Sequence, residues 1–358
     1  MTVVIFLVVL AILIFVHELG HFLFARMAGI RVDEFALGFG PKIFSFKRGE
    51  TVYALNLIPF GGYVKIFGEN PDEESIIGKD SGRSFVHAKK IHQILTLSAG
   101  VLFNFIFAWI LITISFNLGV LTSYDSYPKY AGLMSDPKIT ITYISENSPA
   151  QKSGLKAGDS ILGFKNINDI QDFINKSEGK EIQFKIVRDN EVEKTITLLP
   201  EKGIVEGKYA IGIAMDNTAI LKLPFLTSII EGGRLTLNMI VKTVTGFFDL
   251  IAGIFNGKSS LKSVTGPVGI ASMVGDAAKL GFNYLLMFTA VISINLGIIN
   301  IMPFPALDGG RILFVLIETI IRRPIKPSIA NTINTIGFGL LMLLIVIVTY
   351  RDIAKLVH

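Results

Sequence analysis

Val3 to Val16 is an unbroken apolar run, and His17-Glu18-Leu19-Gly20-His21 follows it directly, leading into Phe22-Leu23-Phe24-Ala25. Together these residues reach the length of a membrane span, roughly 20 residues. On a helix His17 and His21 stand at i and i+4, on one face, where both imidazoles can bind one zinc ion. Glu18 between them is then suited to act as general base for an attacking water. Ionisable groups deep in a span cost about 2.5–3.5 kcal/mol each on insertion scales, so a cluster of them calls for a function. An apolar helix with stray histidines would match the spacing equally well. The intramembrane setting is what favours a metal.

The rest of the composition agrees with a membrane protein. The chain has 358 residues, 51% hydrophobic and 18% charged, with a mean hydropathy of +0.56. That describes a polytopic membrane protein with a soluble insert. The net charge of +5 comes from dispersed Lys and Arg residues, which excludes a nucleic-acid surface and leaves a weak attraction to anionic lipid. Cysteine is absent, so a disulfide, a thiol nucleophile and a cysteine zinc site are all excluded. Any zinc must use His, Asp or Glu, a donor set more typical of catalytic than of structural sites.

Hydropathy and punctuation predict four spans: Val3–Met27, Ile94–Val120, a third beginning at Phe282–Ile301, and Ile333–Val348. The third breaks at Pro303-Phe304-Pro305-Ala306-Leu307-Asp308-Gly309-Gly310 and resumes from Ile312 to Ile321. After the first span, Lys42–Lys47 and Thr51–Leu57 flank Arg48-Gly49-Glu50 and read as a β-hairpin, with Gly61–Ile66 as an added edge strand. Its apolar content suits a membrane-associated element whose backbone pairs internally. Ser123 to Ile213 is soluble in character, with alternating strands, two short helices and a hairpin turn at Asp189-Asn190. Pro224–Phe255 carries Glu231, Arg234, Lys242 and Asp249, and is expected to lie on the membrane surface; a fifth span is the alternative. The domains are therefore 1–122, 123–215, 216–281 and 282–358. Basic residues at 26–48, 89–90 and 322–326 place those loops in the cytoplasm and 121–281 outside. Arg351 and Lys355 run against this rule.

Two histidines are too few for a catalytic zinc, and His87, His92 and His358 all lie outside the apolar runs. Asp308 is the carboxylate that stands apart, at the break in the third span. It is a candidate third ligand, and equally a candidate N-cap for the helix that follows.

These motifs resemble the site-2 protease family of intramembrane zinc metalloproteases, and more closely its bacterial regulator-of-sigma-E protease type. The resemblance is carried by His17-Glu18-Leu19-Gly20-His21, by Asn300 through Gly310, by Phe39-Gly40-Pro41 with its hairpin, and by Gly266-Pro267-Val268-Gly269-Ile270. It runs in order over nearly the whole chain. It implies that His17, His21 and Asp308 bind one zinc ion and that Glu18 is the catalytic base. It also implies that Asn300, Asn295, Pro303 and Pro305 position substrate, and that the hairpin clamps an unwound substrate segment. The middle region, from Ser148-Pro149-Ala150 to Tyr209-Ala210-Ile211-Gly212-Ile213, looks like one circularly permuted PDZ domain of α+β type. The Ile211-Gly212-Ile213 loop would then receive a peptide, or the domain would act as a size filter. Many relatives carry two such domains, and many have Gly-Pro where this chain has Gly100-Val101.

The resemblance implies a metalloendopeptidase of the bacterial inner membrane. Its substrates would be single-span membrane proteins, such as a trimmed anti-sigma factor or leftover signal peptides. The PDZ domain would face the periplasm and the active site the cytoplasmic side. A metal transporter is the rival class, but the second and fourth spans carry no ionisable residue to line a path. An inactive scaffold is the other, and the intact His17, Glu18, His21 and Asp308 argue against it.

Overall fold

The unbroken apolar run makes the first helix, α1 (Thr2–Met27), apolar on every face, and its buried positions, Val9, Leu13, His17, Gly20, His21, Phe22 and Ala25, mark the side that packs against the rest of the protein. The computed structural model describes residues 1–188, 192–205, 207–256 and 265–357. Two long strands follow, β1 (Val32–Arg48) and β2 (Thr51–Ile66), joined through Gly49 with φ of 65°. Residues 34–37 have partners on both sides, Val52 to Leu55 and Lys65 to Gly62. The segment Gly62–Ile66 therefore forms one edge of the sheet and Lys42–Arg48 the other. Beyond Gly38 the rest of β1 is exposed, including Phe39, Ile43, Phe44 and Phe46, and Leu55 and Leu57 of β2 are exposed as well. A short helix α2 (Glu73–Ile77), capped by Asp72, leads into α3 (Lys90–Leu118).

Chain contacts divide the molecule into one unit of residues 1–114 with 229–358 and a second of residues 115–228. The second holds β3 (Val120–Ser123), β4 (Met134–Ile144), α4 (Pro149–Lys152), β5 (Ser160–Ile161), α5 (Ile167–Lys176), β6 (Ile182–Arg188), β7 (Val192–Leu198), β8 (Glu201–Val205), β9 (Lys208–Ala210) and β10 (Ile213–Leu221). Six strands form one sheet in the order β3-β10-β4-β5-β6-β7, and β8 pairs with β9. Ile139, Ile141, Ile161, Ile170, Phe184 and Ile186 fill its core. Buried Asp159 is held by Arg188 at 2.6 and 2.7 Å. The turn expected at Asp189-Asn190 lies outside the described residues.

The chain then forms α6 (Phe225–Phe255), α7 (Pro267–Leu280), α8 (Phe282–Ile301), α9 (Asp308–Ile321) and α10 (Pro327–Val357). Among the described residues five helices are long and apolar enough to cross a membrane, one more than expected. The addition is Phe225–Ile254, whose charges are too widely spaced along a continuous helix to remove it on composition. The Gly266-Pro267-Val268-Gly269 motif acquires a local reason. Buried Asp352 of α10 accepts a hydrogen bond from the Gly269 N–H at 2.8 Å, so a carboxylate from another helix sits at the positive start of α7.

Helix directions follow from the contacts. Val9 and Leu13 pack in one cluster with Leu285, Phe288, Ile292 and Leu296, and His17 meets Asn300, so α1 and α8 run in the same sense. On α3 the order reverses: Thr96 meets His21, while Asn104 meets His17.

Candidate metal centre

The two histidines of α1 are buried, and Asp308 comes to them from the start of α9. His17 Nε2 lies 3.1 Å from Asp308 Oδ2, His21 Nε2 lies 3.3 Å from the same oxygen, and the two Nε2 atoms are 3.2 Å apart. One donor atom from each residue falls within 4.8 Å of the others. The break before α9 makes this possible. Ala306 takes φ of 72°, and its N–H donates to Asn334 of α10 at 3.2 Å. A Cβ at Gly309 would strike the Ile301 and Met302 carbonyls, and one at Gly310 the Phe304 carbonyl, so only glycine lets α9 begin this close to the end of α8. The alternative role of Asp308 as N-cap is corrected here: Leu307 is the N-cap, with no side-chain cap bond, and the Asp308 carboxylate points to the imidazoles instead.

The donors fit zinc. His21 Nδ1 is 2.8 Å from the Thr96 carbonyl, which can only accept, so in the neutral ring Nδ1 carries the proton and the Nε2 lone pair faces the cluster. An outer hydrogen bond of this kind is what metal-bound histidines have. Two imidazoles and one carboxylate leave a fourth position open, the composition of a catalytic zinc site.

Glu18 lines the same cavity, about 450 Å³, together with His17, His21, Asp308, Arg311 and the sheet edge from Gly62 to Gly68. Gly62 allows the edge to press onto α1: its Cβ would stand 2.8 Å from Ile14 Cγ2 and 3.3 Å from Glu18 Cγ. Arg311, on the helix of Asp308, pairs with Glu69 just past the edge. Outside the membrane helices, Arg31 binds Asp33 at 2.8 Å and Asp80 at 2.7 Å, and these carboxylates hold its guanidinium above its ordinary pKa.

Of the residues expected to position substrate, Asn300 stands at the cluster, with Nδ2 3.3 Å from His17 Nε2. Asn295 donates instead to Val291 of its own helix at 2.8 Å. Pro303 and Pro305 form the break itself, and Pro305 packs where Gly337 of α10 leaves room. Ile211, Gly212 and Ile213 belong to the other unit. There they border a cavity of about 530 Å³ with Tyr143, Asn175 and Tyr209.

Sequence reasoning left α3 out of the site, as a span without ionisable residues. Thr96, Gly100 and Asn104 all touch the histidines. A Cβ on Gly100 would lie 2.7 Å from His17 Cε1 and 2.9 Å from His17 Nδ1. The available signal was polar and minimal residues recurring every four positions in an apolar helix, which is one helix face.

A bundle with span-length helices that gathers three donors able to hold a metal, beside a glutamate, has the composition expected of a membrane-embedded metalloenzyme. Comparison with known proteins names the family. The profile of Peptidase family M50 matches residues 5–344, and the chain belongs to that family, the site-2 proteases. A Clostridium perfringens protein is 39% identical over 349 residues, covering 95% of each chain. The zinc metalloprotease RasP of Shouchella clausii is 30% identical over 99% of each chain, and the RasP of Geobacillus kaustophilus is 32% identical over 98% of this chain and 97% of its own. The protein is a multi-pass membrane metalloprotease, and its cofactor is zinc.

Proposed function

We propose that His17, His21 and Asp308 hold the zinc ion, and that Glu18 carries the proton in hydrolysis of a peptide bond within the transmembrane segment of a single-span protein. The observation that carries this reading is the convergence of the three donors in one cavity with Glu18 and an open sheet edge. Bound zinc supplies Lewis-acid chemistry, activating water at neutral pH and polarising the scissile carbonyl. Glu18 accepts the proton of the attacking water and delivers it to the departing amine, which leaves as the C–N bond breaks. Asn300 positions the substrate chain at the zinc site, where its amide can donate a hydrogen bond. The turn made by Pro303 and Pro305 keeps Asp308 and Asn300 on the same side of the site.

A transmembrane substrate is helical, and its backbone must unwind to be cut. Unwinding releases N–H and C=O groups that find no water in the bilayer. The edge Gly62–Ile66 has register partners only on its β1 side among the described residues, and its other side borders the cavity. Adding the substrate there as a strand replaces the lost helix bonds. The exposed aromatic and aliphatic side chains from Phe39 to Leu57 suit burial of the hairpin in the membrane.

Helix directions support four spans. Since α1 and α8 run in the same sense and α3 opposes them, the chain from the end of α3 to the start of α8 must cross the membrane an even number of times. A full crossing by α6 would require a return by α7, which has only 14 residues. Placing α6 along the membrane surface satisfies the constraint. Residues 123–215 then lie outside, in the periplasm of the inner membrane, and are read as one circularly permuted PDZ domain. Lying outside, it screens substrates for prior trimming of their outer portion.

The test is reconstitution in lipid with a model transmembrane peptide. Cleavage is expected to stop when a chelator strips the metal and to return with zinc. Undiminished cleavage by fully metal-free protein would overturn the reading.

A further inference from the structure

Asn104 is completely buried in the middle of α3, and its amide lies 3.1 Å from Nδ1 of His17. As placed, the amide presents Nδ2 to the ring, and its Oδ1 is buried with no hydrogen-bond partner. Both halves of that arrangement conflict with the site. A buried amide oxygen without a partner costs about 1–3 kcal/mol. A His17 ring that receives a proton at Nδ1 must carry its own proton on Nε2, the atom that faces Asp308 and His21. One rotation of the amide removes both conflicts, because amide oxygen and nitrogen are nearly indistinguishable in shape. Oδ1 then accepts the Nδ1–H of His17, and the Nε2 lone pair is free for a metal. His21 is already fixed in this way by the carbonyl of Thr96, about two turns earlier on the same helix. The Asn104 backbone is also anchored, because the Ser293 hydroxyl of α8 donates to its carbonyl at 2.8 Å.

We infer that Asn104 is a positioning residue of the metal centre: its Oδ1 accepts the Nδ1–H of His17, fixing the tautomer and ring plane that aim Nε2 at the ion. The α3 helix thus supplies one acceptor to each histidine, a backbone carbonyl for His21 and a side-chain amide for His17, with Gly100 between them as the floor on which both rings rest. This rests on the assignment of His17, His21 and Asp308 as ligands.

The test measures zinc affinity of the purified full-length protein by competition with a chelator, for wild type, Asn104→Asp, Asn104→Leu, Asn104→Ala and His17→Ala. Metal-free thermal melting of each reports folding. Asn104→Asp keeps an acceptor and cannot donate, so it is expected to stay within about threefold of wild type, while the two apolar variants weaken zinc by roughly 10–100-fold, the range for a lost outer partner. In the zinc-loaded protein labelled with nitrogen-15 at histidine, the His17 Nδ1–H proton should move downfield in Asn104→Asp, because a carboxylate accepts more strongly than an amide. Loss of zinc in Asn104→Asp as large as in Asn104→Leu would show that the amide donates, and would overturn the inference. So would wild-type affinity in a folded apolar variant. If neither apolar variant folds, Asn104→Asp alone decides. Unchanged zinc affinity in His17→Ala would instead overturn the ligand assignment, and the role of Asn104 with it.

Discussion

Asp308 Oδ2 stands 3.1 Å from His17 Nε2, although 291 residues separate the two in the chain. The carboxylate makes no cap to its own helix, so its position is explained by the imidazoles it faces. Asp308→Ala should therefore remove zinc and leave α9 intact. The loss of affinity should exceed the roughly 10–100-fold seen when only an outer partner of a ligand is removed. Zinc content after dialysis checks this. Stoichiometric, tightly held zinc in the variant would return Asp308 to a structural role at the helix start.

Glu18→Gln separates chemistry from metal binding. The amide fills the same space but accepts no proton. Cleavage of the transmembrane peptide should fall by about 10²–10⁴-fold, the usual contribution of a general base, with zinc content near wild type. Full activity in this variant would sink the proposed mechanism.

Gly100→Ala tests the floor of the site. A methyl group there meets both imidazoles and has two buried rings, not a flexible chain end, to displace. A shift of about 1 Å in a catalytic group can cost roughly 10²-fold in rate, and comparable damage is expected here, with weaker zinc binding. Gly246→Ala in α6 is the control, since a Cβ at that position meets nothing within 4 Å. Equal behaviour of the two variants would argue against the cradle.

A proline scan from Tyr63 to Phe67 examines strand addition. Proline removes a ladder N–H and blocks pairing at that position. Where the N–H serves the sheet, as Phe67 does to Arg31 at 2.9 Å, proline should lower stability. Where it faces the cavity, proline should lower cleavage while folding and zinc content hold. Uniform tolerance along the edge would exclude pairing with substrate.

Deleting residues 123–213 distinguishes a filter from a receptor. A filter's removal leaves cleavage of a pre-trimmed substrate intact and admits an untrimmed one. A receptor acting through the cavity beside Ile211, Gly212 and Ile213 would raise KM for the trimmed substrate on deletion, with kcat unchanged. We expect the filter, because the donors, Glu18 and the sheet edge all lie outside this segment. Continued refusal of untrimmed substrate by the deleted protein would reverse that expectation.

The amino-acid sequence by itself determined the elements that depend on local chemistry. The apolar run ending in His17-Glu18-Leu19-Gly20-His21 specifies a helix with two imidazoles on one face, because their spacing is a property of any helix. The prolines at 303 and 305 specify a break, and the absence of cysteine restricts the donors, without reference to any neighbour. Tertiary structure decided what depends on contact between distant segments. It set Asp308 against the two imidazoles and not at a helix cap. It kept Asn300 at the site and turned Asn295 into its own helix. It brought Thr96, Gly100 and Asn104 of α3 under the histidines, where hydropathy alone shows only an apolar span. The physical reason is that a hydrophobicity pattern reports how a residue meets solvent or lipid, whereas a ligand shell is made by packing, and packing between helices far apart in the chain leaves no periodic trace except an occasional glycine or amide where a larger or less polar residue would fit the lipid better.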